Sequence, residues 1–248
     1  MKDRDNWQKR HYAKFWFYQV ERYGFDAYCK GLFNLLLSKG PQSVYELAIG
    51  TGWPFAIGLF DKGVSVSGSD ISELLTADIN RKYPGISVKA ESYEEIKGNS
   101  GVKYDIVYCL RSTWYFPDLF KALDTMFSLA KDDGWVLFDI MNKDSDHIQN
   151  IVKRHRMLLP YTVAKNIFKL GMNKVLKRNY LVQDVWNIHE IPVSGKAVEG
   201  YLNERKISFK KYSINQITDG LESNFLNEGY QNSKIVFECR NNLKELHD

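Results

Sequence analysis

Residues 43–142 alternate between short apolar runs and helical stretches, and this alternation restricts the chain to one class of fold. The strand-like runs are rich in Val, Ile, Leu or aromatic residues, and they are Ser43–Ala48, Val64–Ser69, Ile86–Lys89, Tyr104–Leu110 and Trp135–Met141. Helices are predicted between them, over Pro54–Lys62, Ser72–Lys82 and Asp118–Ala130. Apolar strands connected by helices form a parallel sheet covered on both faces. The sequence therefore predicts a doubly wound α/β domain.

The segments on either side predict additions to this core. Residues 8–37 indicate one or two helices rich in aromatic side chains, and residues 147–183 indicate an amphipathic helical segment interrupted by Pro160 and Gly171. Strands are then expected near 184–191, 207–212 and 234–239, with helices near 194–204 and 215–228. We predict one domain over residues 1–248, whose parts are an N-terminal helical cover (1–42), a cofactor-binding core (43–142), a basic helical lid (143–192) and C-terminal elements that complete the sheet (193–248).

Composition excludes several classes of protein. Apolar residues make up 44% and charged residues 26% of the chain, which is typical of globular domains and not of disordered ones. The three cysteines are far apart in sequence and predict neither a disulfide framework nor a zinc site. The longest apolar runs, such as Leu32–Leu37, are much shorter than the roughly 20 residues of a membrane span. With no apolar signal core after the charged N-terminus, we expect a cytoplasmic protein.

Positive charge is concentrated in the predicted lid. Between His147 and Gln183 there are eight Lys and Arg residues and no acidic residue, although the whole chain has a net charge of only +4. Such a segment favours an anionic small molecule, but a solvated helical face that packs Ile151, Leu158, Val163, Ile167 and Leu170 inward is an alternative. RNA or an acidic membrane surface is a third interpretation. The low net charge and the lack of a recognised RNA module make a nucleic-acid partner the less favoured one.

The first predicted strand ends in a glycine turn, Glu46-Leu-Ala-Ile-Gly-Thr-Gly-Trp-Pro54, which precedes a helix. Glycines at such a turn let a ligand approach the backbone, and ligands of α/β sheets bind at the carboxyl ends of strands. A dinucleotide fingerprint would place Gly or Ala at position 55, where this chain has Phe55, and Pro54 lacks an N–H for a pyrophosphate. The turn therefore favours a different cofactor, with an NAD-dependent oxidoreductase as an alternative.

This turn resembles the first motif of class I S-adenosylmethionine-dependent methyltransferases, E/D-x-G-x-G-x-G. The matching positions are Glu46, Ala48 (in the place of the first glycine), Gly50 and Gly52, with Thr51 between the last two. The resemblance implies a Rossmann-like, mostly parallel seven-stranded sheet and S-adenosyl-L-methionine as the cofactor.

Two acidic positions extend the resemblance. The second strand ends at Asp70, followed by Ile71, and a carboxylate there can accept both ribose hydroxyls of adenosine. A helix cap beside Ser72 is the alternative role for Asp70. After the third strand, Glu91 and Ser92 resemble the pair that contacts the adenine ring, although a solvated acidic surface would also explain Glu91.

The fourth strand and the N-terminal segment supply the remaining expected contacts. Leu110 ends the strand that resembles the family's active-site edge, and Trp114 beyond it is a candidate for the acceptor pocket. The N-terminal half is similar to the glycine N-methyltransferase-like branch, in which an N-terminal arginine pairs with the methionine carboxylate. Arg22 is the candidate here, and Trp16 and Tyr12 are candidates to pack against the sulfonium, with packing in the core as the alternative. Tyr12 is also expected among the catalytic residues.

Methyl transfer from a sulfonium requires alignment more than it requires a catalytic triad or a metal. A base is needed only for a protonated acceptor, and His189 is the favoured candidate over His155. Arg111 is expected to hold a carboxylate or phosphate of the acceptor, unless it pairs with Asp118. We thus predict methyl transfer to an O or N atom of a small anionic metabolite, such as a phosphorylated or nucleotide-linked sugar or a small acid. An RNA-modifying methyltransferase, an oxidoreductase and a fold used only for binding are the alternatives, and no oligomeric state is predicted.

Overall fold

The computed structural model describes residues 25–96, 101–176, 191–218 and 232–242. These residues form a seven-stranded sheet with the strand order β3-β2-β1-β4-β5-β7-β6. The strands are β1 (Ser43–Leu47), β2 (Ser65–Asp70), β3 (Ser87–Ala90), β4 (Tyr104–Cys109), β5 (Ala130–Met141), β6 (Phe209–Ser213) and β7 (Lys234–Arg240). β1 to β5 are parallel, and β7 is antiparallel to both β5 and β6. The predicted mostly parallel seven-stranded sheet is therefore confirmed.

Seven helices accompany the sheet within the described ranges. They are α1 (Ala27–Leu37), α2 (Phe55–Phe60), α3 (Glu73–Lys82), α4 (Leu119–Leu129), α5 (Asp146–Leu176), α6 (Gly195–Glu204) and α7 (Ile214–Thr218), and a 3₁₀ turn spans Thr113–Tyr115. Several begin at a polar side chain that accepts a backbone N–H, namely Asp26 for α1, Ser72 for α3, Asp118 for α4 and Ser194 for α6. These caps satisfy N–H groups that have no partner inside the helix.

The core lies on both faces of the sheet because successive strand residues point to opposite sides. In β4, Ile106 and Tyr108 pack with residues of α1 and α2, whereas Val107 and Cys109 pack with residues of α4 and α6. At the amino end of β1, the carboxylate of Asp105 accepts hydrogen bonds from Gln42 and Ser43 and pairs with Lys131 at 2.7 Å. This contact fastens β1, β4 and β5 together at the edge opposite the glycine turn.

A buried ion pair stabilises the antiparallel end of the sheet. Glu238 in β7 is 1% exposed, and its carboxylate lies 2.8 Å from the ammonium of Lys39 and accepts the hydroxyl of Tyr212 at 2.9 Å. The Lys39 ammonium also lies 4.2 Å from the ring centre of Trp135. Both charged groups are therefore compensated within the core.

Two expectations about local structure were wrong. Helix α5 continues through Pro160 and Gly171 as one 31-residue element; a proline removes a single backbone hydrogen bond, and the turns on either side maintain the helix. β5 begins at Ala130 and not at Trp135, because a register shift after the pair Tyr104–Ala130 lets the chain enter the strand directly from α4.

The structure shows how two of the residues that a solvated helical face would pack inward, Ile151 and Ile167, are arranged in the basic segment. Ile151 contacts the small cluster of Trp114, Met141 and Ile148, but Ile167 is 65% exposed. No helix in the described ranges is long and apolar enough to cross a membrane.

Candidate functional site

The glycine turn at the carboxyl end of β1 has an unusual backbone. Ala48, Gly50 and Gly52 have φ angles of 59°, 59° and 75°. Glycine adopts this left-handed region without strain, whereas Ala48 does so at a cost. A Cβ added to Gly50 would meet no atom within 4 Å, while one on Gly52 would lie 3.3 Å from Ile57. Gly52 therefore packs against α2, and Gly50 borders open space in which a ligand can reach the backbone.

Asp70 connects the end of β2 to this turn. Its Oδ2 accepts the backbone N–H of Gly50 at 2.9 Å, and its Oδ1 accepts the N–H of Ser72 at 2.9 Å. Burial raises the pKa of Asp70, and the two hydrogen bonds oppose that shift. Because a carboxylate oxygen can accept two hydrogen bonds, each oxygen keeps capacity for one further donor. Ser72 itself caps α3, so Asp70 is not the capping residue.

Glu46 lies beneath the turn. It is 4% exposed, and its carboxylate accepts the hydroxyl of Tyr108 at 3.0 Å. Burial raises its pKa well above the usual range, against the effect of the hydrogen bond from Tyr108. In the turn itself, the hydroxyl of Thr51 accepts the N–H of Trp53 at 3.4 Å. Both residues are thus in position to hold the shape of the turn.

The residues expected near adenine lie on one rim of the site. Ile71 is 52% exposed, and the N–H of Glu91 donates to the carbonyl of Asp70 at 3.1 Å. The N–H of Ser92 donates to the carboxylate of Glu95 at 2.8 Å, so in this conformation it is engaged within the acidic segment. Leu110, at the end of β4, is 4% exposed and belongs to the core on the α1 side.

Arg111 turns towards α1 and not towards Asp118. Its φ is 63°, and its backbone N–H donates to Oδ1 of Asp139 at 2.6 Å. Its guanidinium Nη1 contacts the sulfur of Cys29 at 2.8 Å, while Asp118 caps α4. A strained backbone held by a buried carboxylate is typical of functional sites. The alternative pairing with Asp118 is therefore wrong.

Asp139 is the centre of a polar cluster that the sequence reasoning missed. It is fully buried, and its Oδ2 accepts the hydroxyl of Tyr28 at 3.0 Å. Lys234, the first residue of β7, lies over the rings of Tyr28 and Trp114, with its Nζ 5.0 and 4.8 Å from their centres. The cluster thus brings together α1, the segment after β4, β5 and β7, at the same edge of the sheet as the glycine turn.

Burial dominates the electrostatics of this cluster. It raises the pKa of Asp139, and the nearby ammonium of Lys234 opposes that shift. It raises the pKa of Tyr28 well above its usual range and that of the Cys29 thiol to about 12, so both remain protonated at neutral pH. Burial also lowers the pKa of Lys234, while the Asp139 carboxylate raises it.

Four of the predicted site residues, Tyr12, Trp16, Arg22 and His189, lie outside the described residues. Within the described ranges, no group of three or more His, Cys, Asp or Glu side chains is arranged to hold a metal ion. The three cysteines are free and buried.

The family model and the curated relatives that match this chain are all methyltransferases. A family model described as a methyltransferase domain matches residues 19–178. The ubiquinone biosynthesis O-methyltransferase of Bordetella pertussis is 30% identical over 86 residues, which cover 33% of this chain and 36% of that protein. The chain thus spans about a third of the length of the curated relatives it matches.

Solved structures share the fold over nearly the whole chain. A Thermotoga maritima protein described as a possible histamine N-methyltransferase has a TM-score of 0.56 at 16% identity, covering 94% of this chain and 99% of that one. The plantazolicin methyltransferase BamL, solved with S-adenosylhomocysteine, has a TM-score of 0.60 at 13% identity, covering 95% and 96% of the two chains. At these identities the similarity establishes the fold.

Proposed function

Because this chain belongs to the family of methyltransferase domains, we propose that it transfers a methyl group from S-adenosylmethionine to an oxygen or nitrogen atom of a small anionic acceptor. The observation that carries the proposal is the link between Asp70 and Gly50. A carboxylate with free acceptor capacity is hydrogen-bonded to a left-handed glycine that borders open space.

The chemistry of the described residues supports binding of the nucleoside part of the cofactor. We expect Asp70 to accept the ribose hydroxyls and the exposed Ile71 to contact the purine, and the open space beside Gly50 supports close approach to the backbone. The cofactor supplies a methyl group activated by a sulfonium. We expect Glu46 and Thr51 to support the turn from within, and Arg22 and Trp16 to complete the site from the N-terminal segment.

The chain's contribution to the transfer is to bind, orient and exclude water. The bound cofactor would supply the methyl group, and the chain's residues would hold the acceptor atom in line with it; a base would be needed only if the acceptor arrived protonated. Holding the two reactants in line can lower the barrier by several kcal/mol, up to about 7–11. The edge formed by β4 and β5, where Arg111 and Asp139 meet, is the place where we expect the acceptor to bind.

The relatives support both atoms as acceptors. The curated relatives are O-methyltransferases, and one solved structure is described as a possible N-methyltransferase. No contact among the described residues favours an oxidoreductase, and Phe55, which is 3% exposed, fills the position where a dinucleotide site needs a small residue.

Calorimetric titration with S-adenosylhomocysteine and with NADH tests the proposal. Wild type should bind S-adenosylhomocysteine alone, with micromolar affinity. Asp70→Asn should weaken that binding about 10- to 100-fold, since a hydrogen bond to a charged group is worth about 1.5–3 kcal/mol. Asp61→Asn is the matched control, because Asp61 is an exposed residue at the end of α2. A folded wild type that binds NADH, or neither ligand, would refute the proposal.

A further inference from the structure

Lys234 carries hydrogen-bond donors that have no acceptor among the described residues. Its ammonium lies between two aromatic rings at the start of β7, and it forms no hydrogen bond or ion pair within the described part of the chain. Aromatic faces attract a cation but do not accept its three N–H groups as an oxygen would. The side chain is partly buried, so these donors have limited access to solvent.

Trp114 presents a second donor beside the first. The residue is 6% exposed, and its Nε1 is buried with no hydrogen-bond acceptor among the described residues. The backbone carbonyl of Trp114, in contrast, has a partner, because it accepts the N–H of Ile191 at 2.7 Å. Buried N–H groups are nearly always paired, so the unpaired indole N–H of the residue whose ring the Lys234 ammonium contacts calls for an oxygen acceptor.

The charge around these donors is positive. Within the described ranges, Asp139 is the one fully buried carboxylate in contact with the cluster, and both of its oxygens already accept hydrogen bonds, from Arg111 and Tyr28. Arg111 contacts a neutral thiol, and neither Arg111 nor Lys234 has a described carboxylate within ion-pair distance. The carboxylate of Asp26 is exposed, and solvent screens it.

We propose that Lys234 and Trp114 bind an anionic oxygen of the methyl acceptor, as part of a carboxylate, a phosphate or an ionised hydroxyl. This inference rests on the proposed function and specifies the acceptor end of the same site. One negative charge would neutralise the cluster and provide acceptors for both donors. Burial lowers the pKa of Lys234, and a bound anion would act in the opposite direction.

The position in the sheet favours the acceptor over the cofactor's own carboxylate. Lys234 pairs with Met141 at the carboxyl end of β5, and β7 is two strands from β4 on the side away from Asp70. Neighbouring strands are about 4.8 Å apart, so Lys234 lies roughly 10 Å beyond β4. The cofactor would occupy the edge from β3 to β4, which leaves the donors on the acceptor side.

The test is a titration of the full chain, saturated with S-adenosylhomocysteine, with benzoate and separately with inorganic phosphate. The chain has six tryptophans, so the indole N–H of Trp114 can be followed by NMR and assigned with Trp114→Phe. We expect a saturable shift of this resonance with at least one anion. Lys234→Met should weaken that binding by about tenfold or more, and Lys234→Arg should retain most of it.

Lys210→Met is the control for loss of one positive charge, because Lys210 is exposed on the neighbouring strand β6. It should leave anion binding unchanged, and all variants should bind S-adenosylhomocysteine within about twofold of wild type. Dispersed NMR spectra would establish that Lys234→Met is folded.

Three results would overturn the assignment. The Trp114 resonance could remain unchanged with both anions, or Lys234→Met could bind them as wild type does. Binding of the anion only in the absence of S-adenosylhomocysteine would instead assign the donors to the cofactor's carboxylate. Conversely, benzoate could shift the Trp114 resonance of wild type in a way that depends on Lys234, while wild type never binds S-adenosylhomocysteine. That result would retain the anion site and refute the proposed function.

Discussion

Replacing Gly50 with alanine should affect ligand affinity and the free energy of unfolding for different reasons, so the two effects can be measured separately. Gly50 has a φ of 59°, and a Cβ there would meet no protein atom within 4 Å. The fold therefore bears only the backbone cost of a left-handed alanine, about 1–2 kcal/mol. A ligand packed on this backbone would meet the new methyl group, because Cβ projects about 1.5 Å from Cα into a contact of about 3.5–4 Å.

The same geometry sets the expected loss of affinity. Overpacking by one methyl group costs about 1–3 kcal/mol, which corresponds to roughly 5- to 150-fold weaker binding of S-adenosylhomocysteine. Gly40→Ala is a matched control, since Gly40 has a φ of 60° and equally open surroundings but lies in the loop between α1 and β1. Both variants should lose similar free energy of unfolding, measured by urea denaturation.

Calorimetry on the two variants then tests whether a ligand approaches the backbone of Gly50. Gly50→Ala should lose affinity for S-adenosylhomocysteine, whereas Gly40→Ala should bind as wild type does. Unchanged affinity in Gly50→Ala would show that no ligand approaches this backbone, and the reasoning about the glycine turn would fail. A much larger loss of stability in Gly50→Ala than in Gly40→Ala would show that the space beside Gly50 is not open.

Three further predictions concern the charged groups of the sheet. Lys39→Met should destabilise the fold by about 3–5 kcal/mol in urea unfolding, because it leaves Glu238 buried without a cation, and adding Glu238→Gln should restore part of the loss. Tyr28→Phe should cost about 1–3 kcal/mol by removing a donor from the buried carboxylate of Asp139, and an unchanged midpoint would contradict that contact. Burial raises the pKa of Asp105, but the hydrogen bonds to its carboxylate outweigh burial, so the pKa is lowered overall. The carboxylate should therefore stabilise the fold above the unfolded pKa of about 3.9, and this stabilisation should disappear as the pH falls through the lower folded pKa. Wild type and Asp105→Asn should accordingly converge in their free energy of unfolding at low pH.

The sheet could be predicted from sequence because its parallel strands are buried on both faces. Such strands are short apolar runs with polar ends, and the predicted boundaries of β1 to β4 differ from the observed ones by one residue. The start of β5 was missed because Asp132 and Asp133 suggest a loop, whereas the strand accommodates them in an irregular segment with Asp133 at a φ of 61°.

The residues that we propose for the cofactor could be identified from sequence because their motif is local in sequence. Asp70 and Gly50 were named together, and the structure joins them by a hydrogen bond. The residues of the proposed acceptor end could not be identified in this way, because Tyr28, Asp139 and Lys234 are far apart in the chain and none belongs to a motif. One signal was available: Asp139 is the single charged residue within the apolar run Trp135–Met141, and an acidic group in a buried strand needs partners.

The antiparallel direction of β7 has a consequence for how such a protein can diversify. At the carboxyl edge of the parallel strands, those strands contribute their last residues or the residues just after them, such as Asp70, whereas β7 contributes its first residue, Lys234. Gly50 and Asp70, which we propose for the cofactor, and Lys234, which we propose for the acceptor, are therefore encoded by separate stretches of the gene. Under these proposals, a substitution confined to the stretch that encodes Lys234 would alter acceptor preference while leaving Gly50 and Asp70 unchanged for the methyl donor.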